Sequence, residues 1–191
     1  MIVLLYGQPA SGKTTIANAF IEDKQISEFF WSFIRIDGDK WRDVTQNKDY
    51  SKEGRVKNLK GAFDMALYLE KEGYTPILSF VTPYQELRNY LKDNAKDLIQ
   101  ICLEYNEDRG RNDRFASDFE LSENDFKINT SIFNINECVC KLKDLFFKKT
   151  HKKTISIKQV PYSNICACNK MNGGDGNCNC SISNKLIDVY E

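Results

Sequence analysis

The sequence predicts an α/β fold, in which a mostly parallel sheet is flanked by helices and a small cysteine-containing tail follows, and three observations support the predicted sheet. Apolar strand-like runs alternate with segments of helical periodicity, an order typical of parallel βαβ units with right-handed crossovers. The apolar runs lack polar alternation, as expected for strands buried on both faces. The first run, Ile2–Tyr6, leads directly into a glycine-containing loop that opens a helix.

That loop, residues 7–14, has the P-loop form G-x-x-x-x-G-K-T. Gly7 and Gly12 permit torsions that a Cβ would resist, so backbone N–H groups can surround an anion at the helix N-terminus. Lys13 would neutralise the phosphate oxygens of ATP, and the Thr14 hydroxyl would hold Mg2+. A fortuitous glycine turn before a helix is the alternative. The predicted nucleotide-binding residues here are Gly7, Gln8, Pro9, Ala10, Ser11, Gly12, Lys13, Thr14 and Thr15.

The other elements follow from periodicity and turn residues. An apolar stripe at helical spacing predicts the longest helix over 55–72, which Gly73 ends. Pro76 stands only at the start of the next strand, where it removes no ladder bond from the middle of the sheet. The remaining predictions are a helix over 13–24, a strand ending near Ile36, strands over 75–81, 98–103 and 127–130, and helices over 84–94 and 135–147.

Two acidic residues, Asp37 and Asp39, come just after the second predicted strand. In open α/β sheets, ligands gather at the carboxyl ends of strands. We therefore expect a metal ligand or a base here. The alternative is an Asx turn followed by a helix N-cap.

Composition restricts the class of protein. The length fits one domain with a short appendage. The 27 basic and 27 acidic residues cancel, so broad electrostatic binding to nucleic acid or membrane is not expected, although a local basic patch stays open. The N-terminal apolar run is too short for a signal peptide or a membrane span, and we expect a cytoplasmic protein. The sequence leaves the oligomeric state open, a homodimer included.

A polar segment after the fourth strand carries Arg109, Arg111 and Arg114. In a phosphotransferase, such a segment can close over the nucleotide and bring guanidinium groups to its phosphates. The alternative is a solvated loop of mixed charge.

Composition changes after residue 148, so we divide the chain into a kinase domain over 1–148 and a tail over 149–191. Two close cysteine pairs flank a turn-rich run in the tail, and such pairs can bind Zn2+ and fold a segment without its own core. A mobile tail with reduced thiols is the alternative. Cys138 and Cys140 point different ways on a predicted helix, which favours packing over metal binding. The candidate zinc ligands are Cys166, Cys168, Cys178 and Cys180.

Beyond the P-loop, several short segments occur in a characteristic order over residues 1–148. They are Asp37-Gly38-Asp39-Lys40-Trp41-Arg42, Asn47-Lys48-Asp49-Tyr50-Ser51 with Arg55 and Asn58, Ser79-Phe80-Val81-Thr82-Pro83-Tyr84, Asp118-Phe119-Glu120 and Asn129-Thr130. This set resembles the adenylyl-sulfate kinase (APS kinase) family of sulfate activation. Members of that family transfer a phosphoryl group from ATP to the 3′-hydroxyl of adenylyl sulfate.

The resemblance implies a role for each matched residue. Asp39 would take the proton from the attacking hydroxyl beside Lys13, and Asp37 would support Mg2+ or its waters. Tyr50 would stack on adenine, with Phe115 as the second aromatic wall. Arg109 and Arg111 would replace the family's basic lid at the nucleotide. The implied substrate-binding residues are Asp37, Arg42, Tyr50, Arg55, Asn58, Ser79, Phe80, Val81 and Phe115.

Some features of the sequence depart from this family, and all of them affect the choice of substrate. The loop between Tyr50 and Arg55 is shorter than in the family, and the basic lid is absent. Two alternatives therefore stay open. One is a kinase for another hydroxyl, such as a nucleoside or a modified DNA base. The other is a nucleotide-dependent binding module in which the tail carries the interaction.

Overall fold

The computed structural model describes residues 1–29, 32–107, 109–110, 115–122 and 125–151. Within them lies a sheet of five strands in the order β2-β3-β1-β4-β5. Every neighbouring pair is parallel, which confirms the predicted fold class. The strands are β1 (Ile2–Tyr6), β2 (Phe33–Asp37), β3 (Thr75–Phe80), β4 (Leu98–Glu104) and β5 (Phe126–Asn129).

Alternate residues of each strand point to opposite sides of the sheet. Because both sets are apolar, helices cover both faces. Leu4 of β1 belongs to a core with Phe63 on one face. Its neighbour Leu5 belongs to a core with Phe20 and Leu142 on the other. The helices are α1 (Lys13–Glu22), α2 (Lys24–Phe29), α3 (Gly38–Thr45), α4 (Lys52–Lys71), α5 (Gln85–Asn94) and α6 (Ile135–His151).

Several predicted boundaries are wrong for identifiable reasons. Asp23 has extended torsions and ends α1 two residues early, and α2 follows as a separate helix. The Ser51 side chain accepts a hydrogen bond from the Gly54 N–H, so α4 begins before residue 55. α6 continues past residue 147 to His151.

The two helical cysteines differ in environment. Cys138 is buried in the core, as predicted, whereas Cys140 is exposed. The packing prediction is therefore wrong for Cys140, which lies on the opposite side of α6. Nothing within the described residues groups three or more His, Cys, Asp or Glu side chains suitably for a metal ion. The four tail cysteines lie outside those residues, so zinc binding and the boundary after residue 148 stay predictions.

Among the described helices, none combines the length and the apolarity that a membrane span requires.

Burial of one thiol predicts a pH dependence of stability. Burial raises the pKa of the Cys102 thiol from 9.0 to about 11. The folded chain therefore holds this proton more tightly than the unfolded chain. The contribution is fully present below pH 9 and is lost as pH rises towards 11. In urea unfolding, Cys102→Ala should flatten this decline in unfolding free energy by about 1–2 kcal/mol.

Cys140→Ala is the matched control because that cysteine is exposed. It should follow the wild-type pH dependence. If Cys102→Ala did so too, burial of the Cys102 thiol would contribute nothing to it.

Candidate active site

The loop between β1 and α1 has the backbone shape of an anion-binding nest. Positive φ angles occur at Gly7 (147°), Ala10 (63°) and Gly12 (87°). Left-handed torsions within such a loop turn successive N–H groups towards one point. A Cβ at Gly7 would lie 2.3 Å from the Leu103 carbonyl oxygen, so only glycine fits between the loop and β4.

Lys13 places its ammonium group against this loop. Its Nζ donates hydrogen bonds to the carbonyl oxygens of Gly7 (3.0 Å) and Gln8 (2.7 Å) and to Ser11 Oγ (3.1 Å). The residue is 8% exposed. A nearly buried cation beside a loop rich in backbone amides is expected to bind a polyanion tightly.

A hydrogen bond connects the loop to the end of β2. Thr14 Oγ1 donates to Asp37 Oδ2 at 2.7 Å. The other oxygen of that carboxylate accepts from the backbone N–H groups of Asp39 and Lys40, so Asp37 caps α3. The Asx-turn alternative is thus correct for the local role of Asp37. A hydroxyl and a carboxylate oxygen in contact also suit a hard cation such as Mg2+.

The loop opens into a cleft of about 450 Å3, called here the main cleft. It brings together most of the sequence-predicted residues from the P-loop, α3, α4 and the end of β3. Asn58 Oδ1 and Ser79 Oγ are buried in its lining, and neither atom has a hydrogen-bond partner among the described residues. Such oxygens favour a polar ligand or water. The predicted residues that line it are Pro9, Ala10, Gly12, Lys13, Thr14, Thr15, Asp39, Arg42, Tyr50, Arg55, Asn58, Ser79, Phe80 and Val81.

Two arginines and a tyrosine form one wall of the main cleft. The Arg42 guanidinium lies 4.3 Å from the centre of the Tyr50 ring. Arg55 Nε donates to the Tyr50 carbonyl at 2.9 Å. Desolvation lowers the pKa of Arg42, although it stays a cation at neutral pH. The stack occupies part of the Tyr50 ring, which is the surface predicted to hold adenine.

The segment before α4, residues 46–51, is packed tightly against that helix, and most of the predicted loop between Tyr50 and Arg55 lies in its first turn. A Cβ at Gly54 would lie 2.3 Å from Asp49 Cγ. Arg42 Nη1 donates to the carbonyl oxygens of Asn47 (3.2 Å) and Asp49 (2.8 Å). These contacts hold this segment over the start of α4.

A second cleft, of about 670 Å3, shares Ala10, Gly12 and Thr15 with the main cleft. Arg109 lines it and donates to the Ala10 carbonyl (3.2 Å) and to Thr130 Oγ1 (3.0 Å). The predicted phosphate-facing arginine therefore lies outside the lining of the main cleft. Phe115 is half exposed and lines neither cleft, and Arg111 lies outside the described residues.

The sequence interpretation did not include this second cleft. Its lining includes Thr130 and Phe133, which follow β5, and Ile135 at the start of α6. The available signal was that β5 ends at the same sheet edge as β1.

Comparison with known proteins agrees with this geometry. A model of the family described as adenylylsulphate kinase matches residues 1–112. A cytidine diphosphoramidate kinase of Campylobacter jejuni is 27% identical over 103 residues, 54% of this chain and 59% of that protein. A probable adenylyl-sulfate kinase of Aeropyrum pernix is 34% identical over 93 residues, 48% of this chain and 50% of that protein. The chain thus spans about half the length of these curated relatives.

A solved structure extends the similarity to the fold. The Mycobacterium tuberculosis APS kinase in complex with AMPPNP and APS superposes with a TM-score of 0.66. The alignment covers 76% of this chain and 96% of that one at 18% identity. At that identity the likeness concerns the fold alone.

Gly7 provides a direct test of the loop. Gly7→Ala should weaken ATP binding in a calorimetric titration by roughly tenfold to a hundredfold, because torsional strain and the clash with β4 cost about 1–3 kcal/mol. Gly61→Ala is the control, since a Cβ there would lie 3.5 Å from the Trp41 ring, an ordinary contact. Equal affinities in the two variants would contradict the assigned loop.

Proposed function

The chain belongs to the adenylylsulphate kinase family, and on that premise we propose that it transfers the γ-phosphoryl group of ATP to the 3′-hydroxyl of adenylyl sulfate. One observation supports this most: Lys13, Asp39, Arg42 and Arg55 line the same cleft. The cleft therefore combines a cation, a carboxylate and a basic wall. The cation belongs to the loop of residues 7–14, called here the phosphate loop. A phosphoryl donor, a hydroxyl and an anionic acceptor need such a combination.

The donor occupies the phosphate loop in this proposal. The ATP phosphates accept hydrogen bonds from the loop amides, and their oxygens replace the Gly7 and Gln8 carbonyls as partners of Lys13 Nζ. The adenine of ATP extends into the second cleft beside Arg109, because that cleft is also lined by Ala10 and Gly12 of the loop. Thr14 and Asp37 would hold Mg2+, which supplies charge neutralisation at the phosphates.

The acceptor occupies the main cleft. Arg42 and Arg55 face its phosphosulfate group, which suits guanidinium because its planar donors match oxyanions. Asn58 Oδ1 and Ser79 Oγ, which have no hydrogen-bond partner among the described residues, can accept hydrogen bonds from acceptor hydroxyl or amino groups.

Transfer then needs only alignment and one proton acceptor. The acceptor oxygen forms a bond to the γ-phosphorus while the bond from that phosphorus to the β-bridging oxygen breaks, and ADP leaves. The hydroxyl proton passes to the Asp39 carboxylate. Lys13 stabilises the charge that develops on the transferred group.

A second acceptor is favoured by two observations. The segment between Tyr50 and Arg55 is shorter than in the family, and one relative is named for cytidine diphosphoramidate. The hydroxyl would then belong to that nucleotide, or to another nucleoside or modified base. A third candidate belongs to another class, a nucleotide-dependent binding module that uses the tail, and the carboxylate of Asp39 in the cleft weighs against it.

A coupled assay of ADP release separates these functions. Adenylyl sulfate, cytidine diphosphoramidate and a nucleoside are each supplied at micromolar concentration with ATP and Mg2+. Stimulation by adenylyl sulfate alone supports the first proposal, and stimulation by another acceptor alone rejects it in favour of the second. ATP binding without turnover for any acceptor, together with partner binding that is lost when residues 149–191 are deleted, would favour the binding module.

Other parts of the proposal concern the whole protein. We place the reaction in the cytoplasm, where ATP is available, and propose a homodimer and Zn2+ bound by the tail cysteines. Light scattering tests whether the protein is a homodimer, and metal analysis of purified protein tests whether it holds Zn2+. A monomer, or a protein free of zinc, would reject the respective part without affecting the cleft.

Asp39→Asn should slow transfer by roughly a hundredfold or more while ATP affinity changes little, because the amide cannot accept the hydroxyl proton. Asp43→Asn is the matched control, four residues along α3 and exposed, and should keep wild-type turnover. Unchanged turnover in Asp39→Asn would remove this carboxylate as the base.

A further inference from the structure

Described residues at both ends of the polar segment that follows β4 form hydrogen bonds with the phosphate loop. On one side, the Tyr105 hydroxyl donates to the Pro9 carbonyl at 2.9 Å, and Arg109 donates to the Ala10 carbonyl. On the other side, Gln8 pairs with Ala116. Three successive loop residues, 8 to 10, are therefore bonded to Ala116, Tyr105 and Arg109.

The pair between Gln8 and Ala116 is bidentate. Gln8 Nε2 donates to the Ala116 carbonyl at 2.8 Å, and Gln8 Oε1 accepts from the Ala116 N–H at 3.1 Å. The side-chain amide thus takes the place of a neighbouring strand. Ala116 is 2% exposed, so loss of the pair would leave two backbone groups with little access to water, at a cost.

From Ala116 the chain continues through residues 117–120, which with 115 and 116 we call the return segment. The Glu120 N–H donates to the Pro83 carbonyl at 2.9 Å. The buried Arg88 donates to the Glu120 carbonyl and to the Thr82 carbonyl. Phe119 stacks on Tyr6 of β1, with ring centres 6.0 Å apart.

This path links the two halves of the proposed site. Pro83 lines the main cleft together with Ser79, Phe80 and Val81. The phosphate loop is therefore connected, through Gln8, the return segment and Pro83, to the part of the main cleft that Ser79, Phe80, Val81 and Pro83 line. The Gln8 amide and backbone groups set the register of this link, and the Arg88 guanidinium supports it at the Thr82 and Glu120 carbonyls.

We infer that Gln8 is a positioning residue whose side-chain amide holds the acceptor wall at residues 79–83 in register with the phosphate loop. This inference rests on the proposed phosphoryl transfer and goes beyond the backbone role assigned to Gln8 by the P-loop pattern. Misplacement of reacting groups by about 1 Å can cost roughly a hundredfold in rate. Loss of the amide should therefore lower kcat, whereas the loop N–H groups that bind ATP remain.

Two variants separate positioning from packing. Gln8→Met keeps the length of the side chain and removes both hydrogen bonds. Gln8→Glu keeps the shape and the acceptor for the Ala116 N–H but cannot, as a carboxylate, donate to the Ala116 carbonyl. Gln25→Met is the control, since Gln25 is an exposed glutamine on α2.

The experiment combines amide hydrogen exchange of the full chain with steady-state kinetics. In Gln8→Met, exchange in the return segment should rise by roughly tenfold with the β1 and β3 amides unchanged, which marks local opening. The kcat should fall by roughly tenfold or more, with the KM for ATP within about threefold of wild type. Gln8→Glu should protect the Ala116 N–H better than Gln8→Met and still show the lower kcat.

Wild-type exchange in the return segment of Gln8→Met, or a kcat equal to that of the Gln25→Met control, would overturn the inference. So would exchange that rises equally across the whole sheet, since that marks a structural role. Absence of ADP release from the wild-type protein with every acceptor would contradict the proposed function instead. The exchange measurement separates the two failures because it requires no turnover.

Discussion

The hydrogen bond from the Thr14 hydroxyl to the Asp37 carboxylate is the interaction on which the rest of the site depends. It joins the start of α1, which follows β1, to the end of β2, and β3 lies between these two strands in the sheet. The same carboxylate caps α3 and so orients the first turn, where Asp39 lies. One side chain thereby fixes the phosphate loop and the proposed base relative to each other. In the proposed reaction, this bond would allow two loops that are distant in sequence to act on one phosphoryl group.

The parallel sheet makes this arrangement possible. All its strands run in the same direction, so the loops after β1, β2, β3 and β4 emerge at one edge. The charges at that edge are local, because the chain as a whole carries no net charge. Lys13 and two arginines line the main cleft together with Asp39, and the near-complete burial of Lys13 strengthens its attraction for a bound anion. A neutral protein can therefore have a strongly anion-binding site.

Local pattern predicted those parts of the molecule that local physics determines. The P-loop, the buried strands and the long helix depend on spacing and turn residues that can be read directly. The separation of α2 from α1 depends on the torsions of Asp23, and the exposure of Cys140 depends on which side of α6 meets the sheet. The second cleft and the Gln8–Ala116 pair join residues far apart in sequence, which no local period encodes. The shorter segment between Tyr50 and Arg55 can be recognised from the sequence. The contact between Asp49 and Gly54 depends on how the chain folds back onto α4.

A crystal structure with a non-hydrolysable ATP analogue and Mg2+ would test the central claim most directly, namely that one cleft aligns a triphosphate with a carboxylate. The account predicts the phosphates within the loop of residues 7–14 and the adenine of the analogue in the second cleft. It also predicts that Asp39 faces the γ-phosphate with room for an acceptor. A nucleotide bound elsewhere, or Asp39 turned away from the γ-phosphate, would contradict it.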